Sequence, residues 1–157
     1  MIKDLCKKYE MRCNGIFISF PLHAINSENK QKNLNGYKYL YNICKLLQQL
    51  KTPEYTPYII FSDGIYDSDR IQNTGNKNKK QLLPDEKYKF IKELYNIYNI
   101  VNSFGLRLLY HQHAGSFIES FEELAIIIGS TAINIVLDIC HFIYGLMHEY
   151  KNINTVN

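Results

Sequence analysis

The sequence lacks the features that mark membrane, secreted and nucleic-acid-binding proteins. Its longest apolar stretches, near Ala125–Ile128 and Ile139–Tyr144, are far shorter than the roughly 20 residues of a membrane span. The residues that follow Met1 have mixed charge and no apolar core, which argues against a secretory signal. The 18 basic residues, against 15 acidic ones, form no basic stripe. We therefore expect a cytoplasmic protein with neither a membrane nor a nucleic-acid partner.

Cysteine is scarce, and tryptophan is absent. The four cysteines contain no C-x-x-C pair, so they are expected to be reduced thiols rather than a disulfide framework. Cys140 has no evident base beside it and is predicted to be a small buried residue rather than a nucleophile. The 13 tyrosines are interpreted as packing residues of helices.

The chain is too short for several architectures and long enough for one core. Its 157 residues, 46% hydrophobic and 21% charged, are typical of one globular domain, here taken as residues 1–157. A complete eight-stranded β/α barrel needs roughly 250 residues and is excluded by length.

Short β-type runs alternate with longer helical patterns along the chain. Each run is rich in β-branched or aromatic residues and ends at a turn signal. The predicted strands are Ile16–Phe20, Tyr58–Ser62, Leu106–His111 and Ile133–Asp138. This order favours right-handed βαβ units with a parallel sheet covered by helices.

Three helices and one long loop connect these strands. Apolar spacings of three and four residues predict helices over Tyr37–Leu50 and from Pro84 to just before Gly105. Ser120 and Glu123 form a predicted capping box that opens a short third helix. The polar segment 65–81 shows no periodicity and is predicted to be a solvated loop, including its cationic residues Arg70, Lys77, Lys79 and Lys80.

Chemically useful side chains follow the carboxyl ends of the predicted strands, where parallel β/α folds bind ligands. His23 and Asp63 follow the first two strands and are candidate pocket residues, with ordinary turn chemistry as the alternative. His111 and His113 end the third strand, and two imidazoles two residues apart point to one face if the strand persists. This pattern is a start for a divalent metal site. The alternative is one imidazole bonded to a backbone carbonyl and one exposed.

Two carboxylates and one further histidine belong to the same group of candidates. Asp138 ends a largely apolar run, so at the buried end of a central strand it would need a partner or a metal. Its alternative role is an N-cap for the segment that carries His141. Glu119 precedes the capping box and is a candidate ligand, general base or favourable charge at a helix start.

The stretches 105–124 and 136–141 resemble the xylose isomerase-like TIM-barrel superfamily, in particular its sugar phosphate isomerases/epimerases and inosose (2-keto-myo-inositol) dehydratase. Those proteins show a strand ending in Y-H-x-H-x-G-[ST], a glutamate a few residues later and a following L-D-x-x-H. The segments Ile16–Leu22 and Pro57–Gly64 resemble their preceding strands. The resemblance implies an α/β fold, a partial (β/α) TIM barrel of about four parallel strands with flanking helices.

The resemblance also implies roles for individual residues. Asp138 becomes a metal ligand, and His111 becomes another because it stands where many members have a metal-binding glutamate. His141 and Glu119 are the implied catalytic residues, and His113 is an implied substrate-binding neighbour.

The implied cofactor is a divalent cation, Mn, Co or Mg, and the implied substrate is a keto-sugar or polyol. The implied reaction passes through an enediolate, from which isomerisation, epimerisation and dehydration all branch. His23 and Asp63 complete the predicted substrate-binding set.

The chain departs from this family in its number of strands. Four strands, matching the second to the fifth of the barrel, leave out the rest of the expected ligands and the usual glutamate base. We therefore expect a truncated or degenerate member, inactive unless a second copy or a complementing chain completes the barrel. A non-catalytic sugar-binding relic and an unrelated open α/β domain with unconnected histidines are the alternatives.

Overall fold

A computed structural model describes residues 2–22, 30–64, 67–76 and 78–144 of the chain. The helices are α1 (Ile2–Lys8), α2 (Lys30–Leu50), α3 (Ser68–Gln72), α4 (Pro84–Ser103) and α5 (Phe121–Ser130). The strands are β1 (Gly15–Phe20), β2 (Tyr58–Asp63), β3 (Arg107–His111) and β4 (Asn134–Val136). None of the described helices is long and apolar enough to cross a membrane.

The four strands form one parallel sheet in the order β1-β2-β3-β4. Neighbours in space are neighbours in sequence, which is the arrangement that successive right-handed βαβ units produce. The predicted α/β fold with four parallel strands is confirmed.

One face of the sheet forms the hydrophobic core. Ile18, Phe61 and Tyr110 lie in register across three strands, and all three are at most 2% exposed. The apolar stripes of two helices complete the core, namely Leu40, Cys44 and Leu47 from α2 and Leu94, Ile97 and Val101 from α4. Each such apolar side chain contributes about 1.5–3 kcal/mol when it is buried.

The opposite face of the sheet is much more exposed. Phe17, Ile60 and Leu109 lie in register on this face, which we call the open face, since alternate strand residues point to opposite sides. Phe17 is 50% exposed, and the other two are half-buried. In a closed barrel the corresponding face lines the interior.

Two of the predicted connections between strands differ from the structure. Helix α2 begins at Lys30 rather than Tyr37, and α3 lies inside the segment predicted as a loop. The side chain of Asp67 caps α3 by accepting hydrogen bonds from the backbone N–H groups of Asp69 and Arg70. A short helix with one cap and no apolar stripe leaves no periodic signal.

Strand β4 is shorter than predicted, and Asp138 lies two residues beyond it. Because β4 is the last strand of the described sheet, the expectation that Asp138 sits at the buried end of a central strand is wrong. Its side chain is 34% exposed.

Candidate metal centre

Three histidines converge at the carboxyl ends of β3 and β4. One ring nitrogen from each of His111, His113 and His141 lies within 4.8 Å of the corresponding atoms of the other two. The ring centroids of His113 and His141 are only 4.0 Å apart. This cluster, called the histidine cluster below, has the donor number of a three-ligand metal site.

The end of β3 and the turn after it position the first two histidines. His111 is the last residue of the strand and 9% exposed, with its ring edge-on to Phe17 of β1 at 5.6 Å between centroids. His113 lies beyond the strand, where its backbone N–H donates to the Ile118 carbonyl at 3.2 Å. The turn, rather than a continued strand, brings the two rings to 5.8 Å.

A backbone contact defines the protonation of the His113 ring. Its Nδ1 lies 2.8 Å from the carbonyl oxygen of Ala114. A carbonyl oxygen only accepts, so the hydrogen bond requires the proton on Nδ1 and leaves the lone pair of Nε2 for a ligand. The predicted alternative for H-x-H had one ring bonded to a carbonyl and the other exposed; the carbonyl bond is present, but His111 is buried.

His141 comes from the helical segment 139–144. Asp138 precedes this segment, and its Oδ1 accepts a hydrogen bond from the backbone N–H of His141 at 3.1 Å. The N-cap alternative for Asp138 is thus present in the structure. Its Oδ2 lies 3.9 Å from Nε2 of His141, so the same carboxylate also faces the histidine cluster.

The surroundings of His111 and His141 favour the neutral form of their imidazoles. Burial lowers the pKa of His111, and the neighbouring His113 and His141 lower it further. Burial and the proximity of His113 also lower the pKa of His141. The pKa of Asp138 is lowered too, chiefly by the hydrogen bond from the His141 backbone. Neutral rings beside an ionised carboxylate are the protonation states that bind a divalent cation.

Gln112 links the end of β3, which carries His111, to the start of the segment that carries His141. Gln112 lies in the sequence between His111, which ends β3, and His113, which belongs to the following turn. It is fully buried, and its Nε2 donates to the Asp138 carbonyl at 3.0 Å. This bond fixes the start of the segment carrying His141 to the end of β3. The Oε1 of Gln112 accepts no hydrogen bond from the described part of the chain.

Glu119 lies beside the cluster but is bonded to the chain itself. It is fully buried, and its Oε1 accepts from the Gly75 backbone N–H and from Nζ of Lys79. Its Oε2 accepts from the Gly115 backbone N–H at 2.6 Å. Its catalytic role stays a prediction. The structure shows in addition that Glu119 belongs to a network of buried ion pairs.

Two cations predicted to be solvated lie in that network. Arg70 is fully buried and Lys79 is 5% exposed, so the prediction of a wholly solvated loop is wrong for both. Lys80 is exposed, with 54% of its side chain accessible, as expected, and Lys77 lies outside the described residues. The capping box of Ser120 and Glu123 is confirmed, and it supplies the carboxylate that faces Arg70.

Of the remaining sequence candidates, Asp63 and Cys140 are described by the structure, whereas His23 is not. Asp63 is 1% exposed, and its Oδ1 accepts from the backbone N–H of Leu22 at 2.7 Å. His23 lies outside the described residues. The substrate-binding roles of His23, Asp63 and His113 stay predictions. Cys140 is exposed, so its predicted burial is wrong.

The fold of this chain is similar to that of known proteins, although its sequence is not. No protein-family model matches the sequence, and no curated protein is significantly similar to it. Among solved structures, a xylose isomerase-like TIM barrel protein from Mycobacterium smegmatis in complex with magnesium is similar over 87% of this chain, with 13% identity and a TM-score of 0.53. The IOLI protein with a bound zinc atom is similar over 90% of this chain, with 15% identity and a TM-score of 0.58.

This chain spans about half the length of both structures, 44% of the first and 47% of the second. Sequence identity this low establishes a shared fold and nothing finer. The strand order, the parallel register and these two neighbours together assign the chain the fold of a partial xylose isomerase-like TIM barrel.

Proposed function

We propose that this chain carries the metal-binding part of a divalent-metal-dependent sugar isomerase or epimerase, acting on a keto-sugar or polyol. The observation that carries the proposal is the convergence of His111, His113 and His141 within 4.8 Å at the carboxyl ends of two adjacent strands. Ligand sites of β/α barrels lie at this end of the strands. The two neighbouring structures contain magnesium and zinc, respectively.

The donor set indicates which metals the site would hold. Three imidazole nitrogens suit zinc and cobalt better than magnesium or manganese, which prefer oxygen ligands. The carboxylate of Asp138 faces the same group and is the proposed fourth ligand, as the sequence predicts. A metal there would act as a Lewis acid that polarises a substrate carbonyl.

The proposed roles of the protein groups follow from their contacts. Nε2 of His113 is the proposed ligand atom, because its Nδ1–H is bonded to the carbonyl of Ala114. Both carboxylate oxygens of Glu119 accept hydrogen bonds from backbone N–H groups of the chain. This supports a role in holding the backbone in place rather than a role as a general base. His141, with 27% of its side chain exposed, is the residue of the cluster best placed to meet a substrate from solvent.

The first experiment measures metal binding by the whole chain. Zinc or cobalt is titrated into wild type and into His111→Ala, His113→Ala and His141→Ala, with affinity from calorimetry and stoichiometry from elemental analysis. We expect about one metal per chain and at least a tenfold weaker affinity for each variant, the loss seen for groups that support a metal site. Tyr88→Ala, which changes a side chain of α4 that is 72% exposed, is the control. Wild type without bound metal, or variants that bind like wild type, would contradict the site.

The second experiment tests the chemistry. Metal-loaded protein is incubated with a panel of keto-sugars and inososes in D₂O, and exchange of the proton next to the carbonyl is followed by NMR. Exchange dependent on the metal supports isomerase, epimerase or dehydratase chemistry, and product analysis separates dehydration from the others. If the protein binds metal and sugar but no proton exchange occurs, it is a non-catalytic sugar-binding protein. This is the second candidate function, and it is supported by the hydrogen bonds that already engage both carboxylate oxygens of Glu119.

The exposed apolar residues of the open face and the unpaired sheet edges suggest a site where another polypeptide binds. Phe17 is 50% exposed on it, and Leu137 and Ile139 beyond β4 are 54% and 64% exposed. Within the described residues, β1 and β4 each have one neighbour only, so both outer edges carry unpaired backbone groups. We propose that a second copy or a complementing chain closes the barrel here. Sedimentation velocity over a concentration series tests for the second copy, and a monomer at all concentrations would exclude it.

A further inference from the structure

Four charged side chains form a buried, electrically balanced cluster beneath the turn that carries His113. Arg70 and Lys79 come from the segment between β2 and α4, and Glu119 and Glu123 come from the start of α5. Their exposed fractions are 5% or less. Burying four charges is costly unless each is paired and hydrogen-bonded, so the contacts of this cluster, called the buried ion cluster, are specific.

Arg70 uses every donor of its guanidinium group. Nε and Nη2 donate to the Ser116 carbonyl, Nη1 donates to the Lys80 carbonyl at 2.9 Å, and Nη1 and Nη2 form a bidentate pair with Glu123. A guanidinium has five N–H donors, and all five are bonded here. Only the planar fork of arginine can satisfy this set, because lysine has a single nitrogen.

Lys79 and Glu119 complete the link between the two segments. Nζ of Lys79 lies 3.1 Å from Glu119 Oε1 and 3.4 Å from Glu123 Oε2. Glu119 then reaches the Gly75 backbone on one side and the Gly115 backbone on the other. Gly115 has a φ of 79°, a left-handed conformation that favours glycine and turns the chain sharply two residues after His113.

The buried ion cluster therefore contacts the backbone of the turn at two successive residues, Gly115 and Ser116. Arg70 binds the carbonyl of Ser116, whose own N–H donates to the His113 carbonyl at 3.0 Å. Glu119 binds the N–H of Gly115. With the Ile118 carbonyl accepting from the His113 N–H, the backbone of His113 is held on both sides.

We propose that the buried ion cluster is a positioning device for His113, and that docking of the segment 67–80 is coupled to metal binding at the histidine cluster. The proposal rests on the proposed metal site. Arg70, Lys79, Glu119 and Glu123 act through the backbone of the turn and touch no metal themselves. Coupling is reciprocal, so a metal that needs the ordered turn also stabilises the segment that orders it.

The test uses the full chain and zinc or cobalt as the probe. Arg70→Lys keeps the charge and removes the fork, and Glu119→Gln keeps one acceptor and removes the charge. Lys89→Ala is the matched control, because it removes an exposed lysine of α4. Circular dichroism and thermal unfolding establish that each variant is folded. Metal affinity and the cobalt(II) absorption spectrum report the ligand geometry.

We expect Arg70→Lys and Glu119→Gln to bind zinc at least tenfold more weakly than wild type and to alter the cobalt(II) spectrum, whereas Lys89→Ala matches wild type. Folded variants with wild-type affinity and spectrum would overturn the proposal while leaving the metal site intact. Wild type that binds no metal would defeat the proposed function itself.

A second measurement needs no variant and covers the case in which Arg70→Lys fails to fold. Hydrogen exchange of the wild-type backbone is measured with and without zinc. We expect zinc to slow exchange in the segment 67–80 although none of its residues belongs to the histidine cluster. Exchange slowed at 111–118 and 138–144 but unchanged at 67–80 would overturn the coupling.

Discussion

Arg70 and Glu123, 53 residues apart in the sequence, form a buried bidentate ion pair with N–O distances of 2.8 and 3.1 Å. Glu123 is also the third residue of a capping box, so one carboxylate both starts α5 and anchors the segment before α4. Losing one partner of such a pair leaves an uncompensated charge in the interior.

The first prediction concerns the pH dependence of stability set by Glu123. Burial by itself would raise its pKa, but the hydrogen bonds and charge of Arg70, with the charge of Lys79, hold the pKa below the ordinary value of about 4.5. Below about pH 4.5 the unfolded chain therefore binds more protons than the folded chain. This contribution to stability is present above that pH and is lost as pH falls through the depressed folded pKa.

Glu123→Gln is expected to reduce the free energy of unfolding at neutral pH by about 3–5 kcal/mol and to flatten its decline toward about pH 3. Glu122→Gln changes the adjacent exposed glutamate and is the matched control. Urea unfolding at a series of pH values measures both. Equal acid sensitivity in the two variants would contradict the assignment.

The second prediction separates the two roles of Asp138. Asparagine retains the capping oxygen but lacks the negative charge that faces His141. We expect Asp138→Asn to keep the helical segment and to weaken zinc affinity about 10- to 100-fold, the range for residues that support or complete a metal site. Asp138→Ala removes both functions and is expected to lose more. Unchanged affinity in Asp138→Asn would leave Asp138 as a cap alone.

The third prediction compares two helical glycines. A Cβ on Gly36 of α2 would lie 2.6 Å from Cγ of Phe20, whereas a Cβ on Gly129 of α5 meets nothing within 4 Å. Alanine favours helices over glycine by about 1 kcal/mol. We expect Gly129→Ala to stabilise the protein by up to that amount and Gly36→Ala to destabilise it by about 1–3 kcal/mol through overpacking. Thermal unfolding of both variants measures the two changes in stability. Changes of the same sign in the two variants would contradict this packing.

The fourth prediction concerns thiol reactivity. Cys44 is fully buried, and burial raises its pKa to about 11, so at neutral pH it is a protonated, inaccessible thiol. Cys140 is exposed. Alkylation of the native protein followed by mass spectrometry of peptides should label Cys140 and spare Cys44, which reacts only after denaturation. Equal labelling of both in the native state would show that the core around α2 is open.

Much of the fold was predictable because its signals are local. The strand at Ile16–Phe20 and the apolar stripe from Phe90 to Val101 repeat with the periods of a strand and a helix, and both are confirmed. The capping box at Ser120 was predictable for the same reason, since its partners are three residues apart. Helix α3 escaped prediction because its start depends on one cap.

The candidate site was predictable in part. The H-x-H at the end of β3 and the position of His141 after β4 identified all three members of the histidine cluster, since parallel strands end at one edge. The prediction that Asp138 lies at the buried end of a central strand was wrong. The length of β4 and its place at the edge of the described sheet depend on its pairing with β3, which the sequence does not show. The predicted solvation of Arg70 and Lys79 was also wrong, because both are buried although a polar composition without periodicity is typical of solvated loops.

The sequence by itself determined the order of strands and helices, the parallel sheet and the histidines that follow the strands, because each depends on patterns a few residues long. Only the tertiary structure decided that the imidazoles converge and that Arg70 meets Glu123. Those contacts join distant parts of the sequence, 53 residues apart for Arg70 and Glu123, and their energies depend on burial that exists only after the chain has folded.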